Sequence, residues 1–148
     1  VMADHILSHD LLSALVANAP ADADAVLAID RRVASPLVDP DDATWVRLGK
    51  GNAIARIGKG LDHYDAVDCG AFVAGPGLSR AIAAAIGNGQ PGSLSDGMQL
   101  LAGQGQARVV DIGDAWWIDV DDAKALRLAE AQVGERLPQV FDTKGAEA

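Results

Sequence analysis

A single cysteine, Cys69, stands in 148 residues, so neither an intrachain disulfide nor a multi-cysteine zinc site can form. Positive charge is also scarce. Twelve lysines and arginines against 21 aspartates and glutamates leave a net charge of −9, which argues against a nucleic-acid backbone or an anionic membrane as the main partner. No apolar run approaches the ~20 residues that span a bilayer. The opening residues Val1-Met2-Ala3-Asp4-His5 carry neither a basic leader nor a signal-peptide core. There is no internal repeat and no low-complexity segment. Taken together, these absences point to the cytoplasm.

What is present is a foldable composition, 49% hydrophobic and 22% charged. The length allows one domain at most, able to bury roughly 68–70% of its unfolded surface. Along the chain, residues 8–18 place a serine at an N-cap and set Leu11, Leu12, Leu15 and Val16 on one helical face. Residues 24–30 (DAVLAID) form a short apolar run with polar ends, the pattern of a buried strand. A loop with two prolines follows at 34–41. Residues 44–48 and 52–57 alternate around Gly49-Lys50-Gly51, as in a hairpin. Residues 66–74 (AVDCGAFVA) are apolar except for Asp68 and predict a central strand buried on both faces. Helices are expected at 77–86 and 93–101, separated by a Gly/Asn/Pro breaker run. Strands are expected at 107–112 and 116–120, and a last helix at 122–134 with Leu126, Leu128, Ala129 and Val133 on or near its buried side. The tail 138–148 is expected to be frayed.

Alternating strands and helices give an α/β class with helices on both faces of a sheet. If residues 1–3 are a strand, it has been entered partway, because strands average about 5–6 residues. The chain therefore reads as a piece of a larger domain. Removal of leading elements is expected to expose the apolar side of residues 24–30, to be covered by another chain or by the rest of a longer protein.

Three carboxylates stand out by placement. Asp4 follows the short apolar start, at what would be the carboxyl end of a strand, where ligands gather in open α/β sheets. Asp119 and Asp121 are two apart in WWIDVD, so an extended backbone projects them to one face. Such a set suits magnesium, which takes one or two protein carboxylates and completes its octahedron with water and phosphate oxygens. Simpler roles stand beside this one. Asp121 or Asp122 can cap the final helix, and Asp4 can cap the first or lie in a loop. His5 and His9 are four apart, but the helix starts between them, which disfavours their acting as a ligand pair. Cys69 reads as a small core residue, and the three tryptophans as packing.

The order Met2-Ala3-Asp4-His5, Gly58-Lys59-Gly60-Leu61, Tyr64-Asp65-Ala66-Val67-Asp68-Cys69-Gly70 and Trp116-Trp117-Ile118-Asp119-Val120-Asp121 resembles the sugar-phosphate nucleotidyltransferase family of the NTP transferase superfamily. Within it, the resemblance is nearest to the CTP:inositol-1-phosphate cytidylyltransferase branch, over residues 1–137. It implies a Rossmann-like three-layer fold with a mixed, mostly parallel sheet, here without its amino-terminal part. It further implies Mg2+ held by Asp4, Asp119 and Asp121, and a catalytic set of Asp4, Lys59 and Asp119. The acceptor side would be bound by Lys59, Asp68 and Gly70. The partners implied are an NTP, CTP in this branch, and a phosphorylated acceptor such as inositol 1-phosphate. For Lys59 the alternative is a solvated turn lysine; for Asp68 it is a buried carboxylate paired with Arg56 or Lys59.

One departure is plain. The family opens with a glycine-rich loop that grips the triphosphate, and none occurs here. Gly49-Lys50-Gly51 falls in a hairpin, and Gly87-Asn88-Gly89 follows a helix. The chain by itself is therefore expected to be inactive or nearly so, its amino-terminal segment having been removed, lost from the reading frame, or supplied by another chain. A sugar-1-phosphate or phosphocholine nucleotidyltransferase, or a non-catalytic interaction domain derived from the fold, are the competing readings.

Overall fold

The buried apolar runs become strands in a computed structural model that describes residues 1–141. The elements in order are β1 (His5–Leu7), α1 (His9–Asn18), β2 (Ala25–Asp30), β3 (Trp45–Leu48), β4 (Ile54–Gly58), β5 (Ala66–Ala74), α2 (Pro76–Gly87), α3 (Leu94–Gly103), β6 (Ala107–Asp111), β7 (Trp117–Asp119) and α4 (Ala123–Arg136). Residues 138–140 form a 3₁₀ turn; of the expected tail, 142–148 lie outside the described residues.

Five strands make the main sheet in the order β4-β3-β5-β2-β6. β5 holds the middle, as its apolar sequence requires, and is buried from Ala66 to Ala71 except for half-buried Asp68; Val73 and Ala74 emerge at its end. The sheet is mixed, but the expectation of a mostly parallel one is corrected. Among the described residues only β2 and β6 pair in parallel, whereas β2–β5, β3–β4 and β3–β5 are antiparallel. The β3–β4 connection is one tight 3₁₀ turn, with Gly51 and Asn52 at φ +62° and +60°. So short a link can only reverse the chain, since parallel neighbours need a crossover of a dozen or more residues.

Alternation along β2 divides the core. Ala25, Leu27 and Ile29 face Leu78, Ala81, Met98 and Leu101 of α2 and α3. Val26 and Ala28 face Leu11 and Leu15 of α1 together with Trp117. All six residues of β2 are therefore buried within the chain itself, and the expected exposed apolar side of this strand is not found. Ser8 and Ser93 start α1 and α3 by accepting the N–H of Leu11 and Asp96, the latter in a reciprocal capping box. Two helical faces are narrower than expected. Leu12 and Val16 are 37% and 71% exposed, and Leu126 is 48% exposed, while burial falls on Leu11 and Leu15 in α1 and on Ala129 in α4.

Beside the main sheet, β1 and β7 form a separate antiparallel pair in which His5 lies opposite Asp119 and Leu7 opposite Trp117. α4 packs behind it through Ala129, Leu128 and Val133 against Trp116 and Ile118.

Candidate active site

The β1–β7 pair brings the two ends of the chemistry together. The expected strand over residues 1–3 does not form: Val1 and Met2 are exposed, and the strand starts at His5, where β7 offers a partner. Asp4 thus stands at the beginning of a strand rather than at its carboxyl end. Its carbonyl accepts the N–H of Val120 at 2.9 Å, which sets residue 4 beside the last residue of β7, Asp119.

Asp4, Lys59, Asp68, Gly70, Asp119 and Asp121 all line one cleft of about 360 Å³. Ligand atoms of Asp4, His5 and Asp119 lie within 4.8 Å of one another, as do those of Asp42, Asp119 and Asp121. Asp119 is common to both groups. Its Oδ1 is shut off from solvent and has no hydrogen-bond partner among the described residues. Burial raises its pKa; His5 opposes that, while Asp121 and Asp4 add to it. Asp4 behaves oppositely, its carboxyl held below the usual range first by the hydrogen bond from His5 Nδ1 to its Oδ1 at 2.9 Å. An orphaned, buried carboxylate oxygen among other carboxylates is the donor chemistry that a hard divalent cation satisfies. The residues present therefore fit magnesium. Asp122, the neighbour in sequence, instead caps α4 by accepting the N–H of Ala125 at 2.6 Å.

Lys59, just past β4, is 60% exposed and ion-paired with Asp42. That hydrogen bond raises its pKa, with Asp119 and Asp121 adding to the effect, so it enters the cleft as a cation. Asp68 is paired with neither Arg56 nor Lys59. Its Oδ1 accepts the N–H of Gly70 at 2.7 Å, where β5 bulges against β2 and Gly70 takes φ +71°. Burial pushes the Asp68 carboxyl up to about 6 despite that bond.

His5 and Asp42 belong to the cleft and are not marked by the sequence patterns. His5 is tied to Asp4 and stacks on Trp117, with ring centroids 5.8 Å apart and planes 12° apart. In sequence it stands within the Met2-Ala3-Asp4-His5 motif, but nothing there assigns it a role of its own. Asp42 lies in the irregular stretch before β3, where no periodicity distinguishes it from Asp39 or Asp41. His9 takes no part; it bonds Ser13 on the exposed face of α1.

Behind the cleft, Asp30 is buried at the end of β2. It accepts from Arg32 Nε at 2.9 Å and Nη2 at 2.8 Å, and from Trp117 Nε1 at 2.9 Å. These bonds hold its carboxyl low although burial alone would raise it. Through Trp117 this network fastens the small sheet to the main one.

No family model matches the chain. It is 35% identical over 134 residues, 89% of its length, to a "Bifunctional IPC transferase and DIPP synthase" of Rubrobacter xylanophilus, of which it spans 29%. Among solved structures, the inositol-1-phosphate CTP transferase of T. maritima superposes with a TM-score of 0.70 at 24% identity, over 89% of this chain and 54% of that one. A Bacillus anthracis structure assigned as a glucose-1-phosphate thymidylyltransferase, with sucrose bound, gives 0.64 at 15% identity, over 86% and 50%. The structural likenesses show the nucleotidyltransferase fold, and the sequence likeness to the Rubrobacter protein is confined to the 29% of that protein that the chain spans.

Proposed function

We propose that this chain is the metal- and acceptor-binding part of a cytoplasmic nucleotidyltransferase that transfers a cytidylyl group from CTP to a phosphorylated alcohol such as inositol 1-phosphate. The observation that carries this reading is the gathering of Asp4, Lys59, Asp68, Gly70, Asp119 and Asp121 around one cleft. The kinship with an IPC transferase and the fold of an inositol-1-phosphate CTP transferase support the choice of substrates.

A phosphate oxygen of the acceptor attacks the α-phosphorus of CTP. The new P–O bond forms as the bond to the β-phosphate oxygen breaks, and pyrophosphate leaves. The attacking oxygen is already ionised near neutral pH, so no side chain has to remove a proton. The protein's task is alignment and charge compensation. Lys59 meets the acceptor's phosphate, leaving its ion pair with Asp42 to do so. Gly70 lines the acceptor side of the cleft beneath the His5 ring, and the half-buried Asp68 faces the acceptor as a hydrogen-bond partner. Asp4, Asp119 and Asp121 would hold Mg2+. When bound there, the ion supplies charge neutralisation for the phosphates.

The test is pyrophosphate release from CTP and inositol 1-phosphate with Mg2+. It is run on the 148-residue chain alone and on the same chain preceded by a nucleotide-holding segment. The longer form is expected to turn over and the chain alone to be nearly inactive. In the active form Asp4→Asn or Asp119→Asn should lower kcat about 10²–10³-fold, the scale of losing one preorganised electrostatic contact. Lys59→Met should chiefly raise KM for the acceptor. Unchanged rates in both aspartate variants would sink the reading. Metal binding that CTP fails to strengthen would favour a non-catalytic domain. Faster turnover with a sugar 1-phosphate or phosphocholine would reassign the acceptor.

A further inference from the structure

Among the groups around the cleft that the proposed chemistry leaves without a task, His5 is the most constrained. Its side chain is only 9% exposed. One contact is the indole of Trp117, stacked nearly parallel, and that indole is itself fixed by its hydrogen bond to Asp30. A second boundary is Gly70: a Cβ there would lie 2.4 Å from Cδ2 and 2.7 Å from Nε2 of the imidazole, so residue 70 must be glycine for the ring to occupy this place. The ring is thus seated between a clamped indole and bare backbone, with Nδ1 turned toward the carboxylates. Nδ1 lies 2.9 Å from Asp4 Oδ1 and 3.6 Å from Asp119 Oδ1. An ionised carboxylate only accepts hydrogen bonds, so Nδ1 must carry the hydrogen in that contact.

We propose that His5 is a positioning residue: its Nδ1–H fixes the Asp4 carboxylate, and draws in that of Asp119, so that the two meet one divalent cation. The role rests on the reading of the cleft as a metal site. It explains three otherwise unrelated features: the glycine at 70, the buried Asp30–Trp117 bond and the orphaned Asp119 Oδ1 held close to a hydrogen donor. Groups that orient metal ligands from behind typically contribute 10–100-fold to metal affinity. His5 would do so for a pair of carboxylates whose backbones are joined only by the short β1–β7 ladder.

The experiment titrates the 148-residue chain with Mn2+, followed by electron paramagnetic resonance. Three proteins are compared: the parent, His5→Phe and His5→Asn. Phenylalanine keeps a ring for Trp117 and removes the donor, so affinity should fall about 10-fold or more while the metal-free melting temperature stays near the parent's. Asparagine can place an amide N–H near the position of Nδ1 and should recover most of the loss, which a merely space-filling role would not allow. A His5→Phe protein that binds Mn2+ within about threefold of the parent, well inside that range, overturns the proposal. So does a directly bound imidazole nitrogen in the spin-echo spectrum of the Mn2+ complex, which would make His5 a ligand. If the parent itself binds no Mn2+, the metal reading beneath the proposal fails first, and the two failures are told apart. Nitrogen-15 NMR of the metal-free parent needs no variant to fold: a hydrogen on Nδ1 is expected, and a bare Nδ1 overturns the role.

Discussion

Asp68 shows two opposing effects on one carboxylate. Burial pushes its pKa to about 6, while the Gly70 N–H and the nearby His5 pull it down. Its value in an unfolded chain is about 3.9. The folded protein therefore holds a proton that the unfolded chain has already released, and stability falls as pH rises from about 4 to about 6, then levels off. Asp68→Asn abolishes the ionisation and keeps an oxygen for Gly70. Its melting temperature should gain on the parent's between pH 4 and pH 7; a gap that stays constant over that range would refute this account. Asp68 was conspicuous in sequence as the one charge in an apolar run. Its partner was not, because a backbone N–H two residues along leaves no mark in residue types, whereas Arg56 and Lys59 do. His5 was hidden for a related reason: its meaning comes from Trp117 and Gly70, which only folding brings to it.

At the level of elements, β2 and β5 were legible as continuous apolar runs buried on both faces, and α3 by its cap. What could not be read was that β1 and β7 leave the main sheet to form a ladder of their own. Three-residue strands carry too little alternation, and their register depends on a partner more than a hundred residues away. The anchor of that ladder is Asp30, whose bonds to Arg32 and Trp117 join β2 to β7. Asp30→Ala would leave the Trp117 indole N–H without an acceptor and Arg32, 43% exposed, without its carboxylate. We expect a loss of about 2–3 kcal/mol in urea unfolding, the usual cost of orphaning a buried donor together with a charged hydrogen bond. Full stability in this variant would mean that packing alone docks the small sheet.

The whole molecule carries a net charge of −9, and its cleft concentrates it: Asp4, Asp39, Asp42, Asp68, Asp119, Asp121 and Asp122 line it against Lys59 and Lys124. An anion entering such a cleft meets repulsion unless a cation goes with it. Inositol 1-phosphate or CTP should therefore raise the melting temperature of the chain with Mg2+ present and leave it unmoved in EDTA. A shift of equal size in EDTA would place anion binding elsewhere. Composition gave the sign of this field, and the fold gives its focus. The pairing of His5 with Asp119 has a further consequence, for the order of events at birth. A chain emerging from a ribosome at roughly 5–20 residues per second presents β1 on the order of ten seconds before β7 exists. Over that interval Asp4 and His5 belong to no ladder, and the cleft closes only once residue 119 has been delivered. The proposed centre would thus take shape only after β2 to β6 have been made, and a chain cut short before residue 119 could hold much of its core yet no ladder to gather its carboxylates.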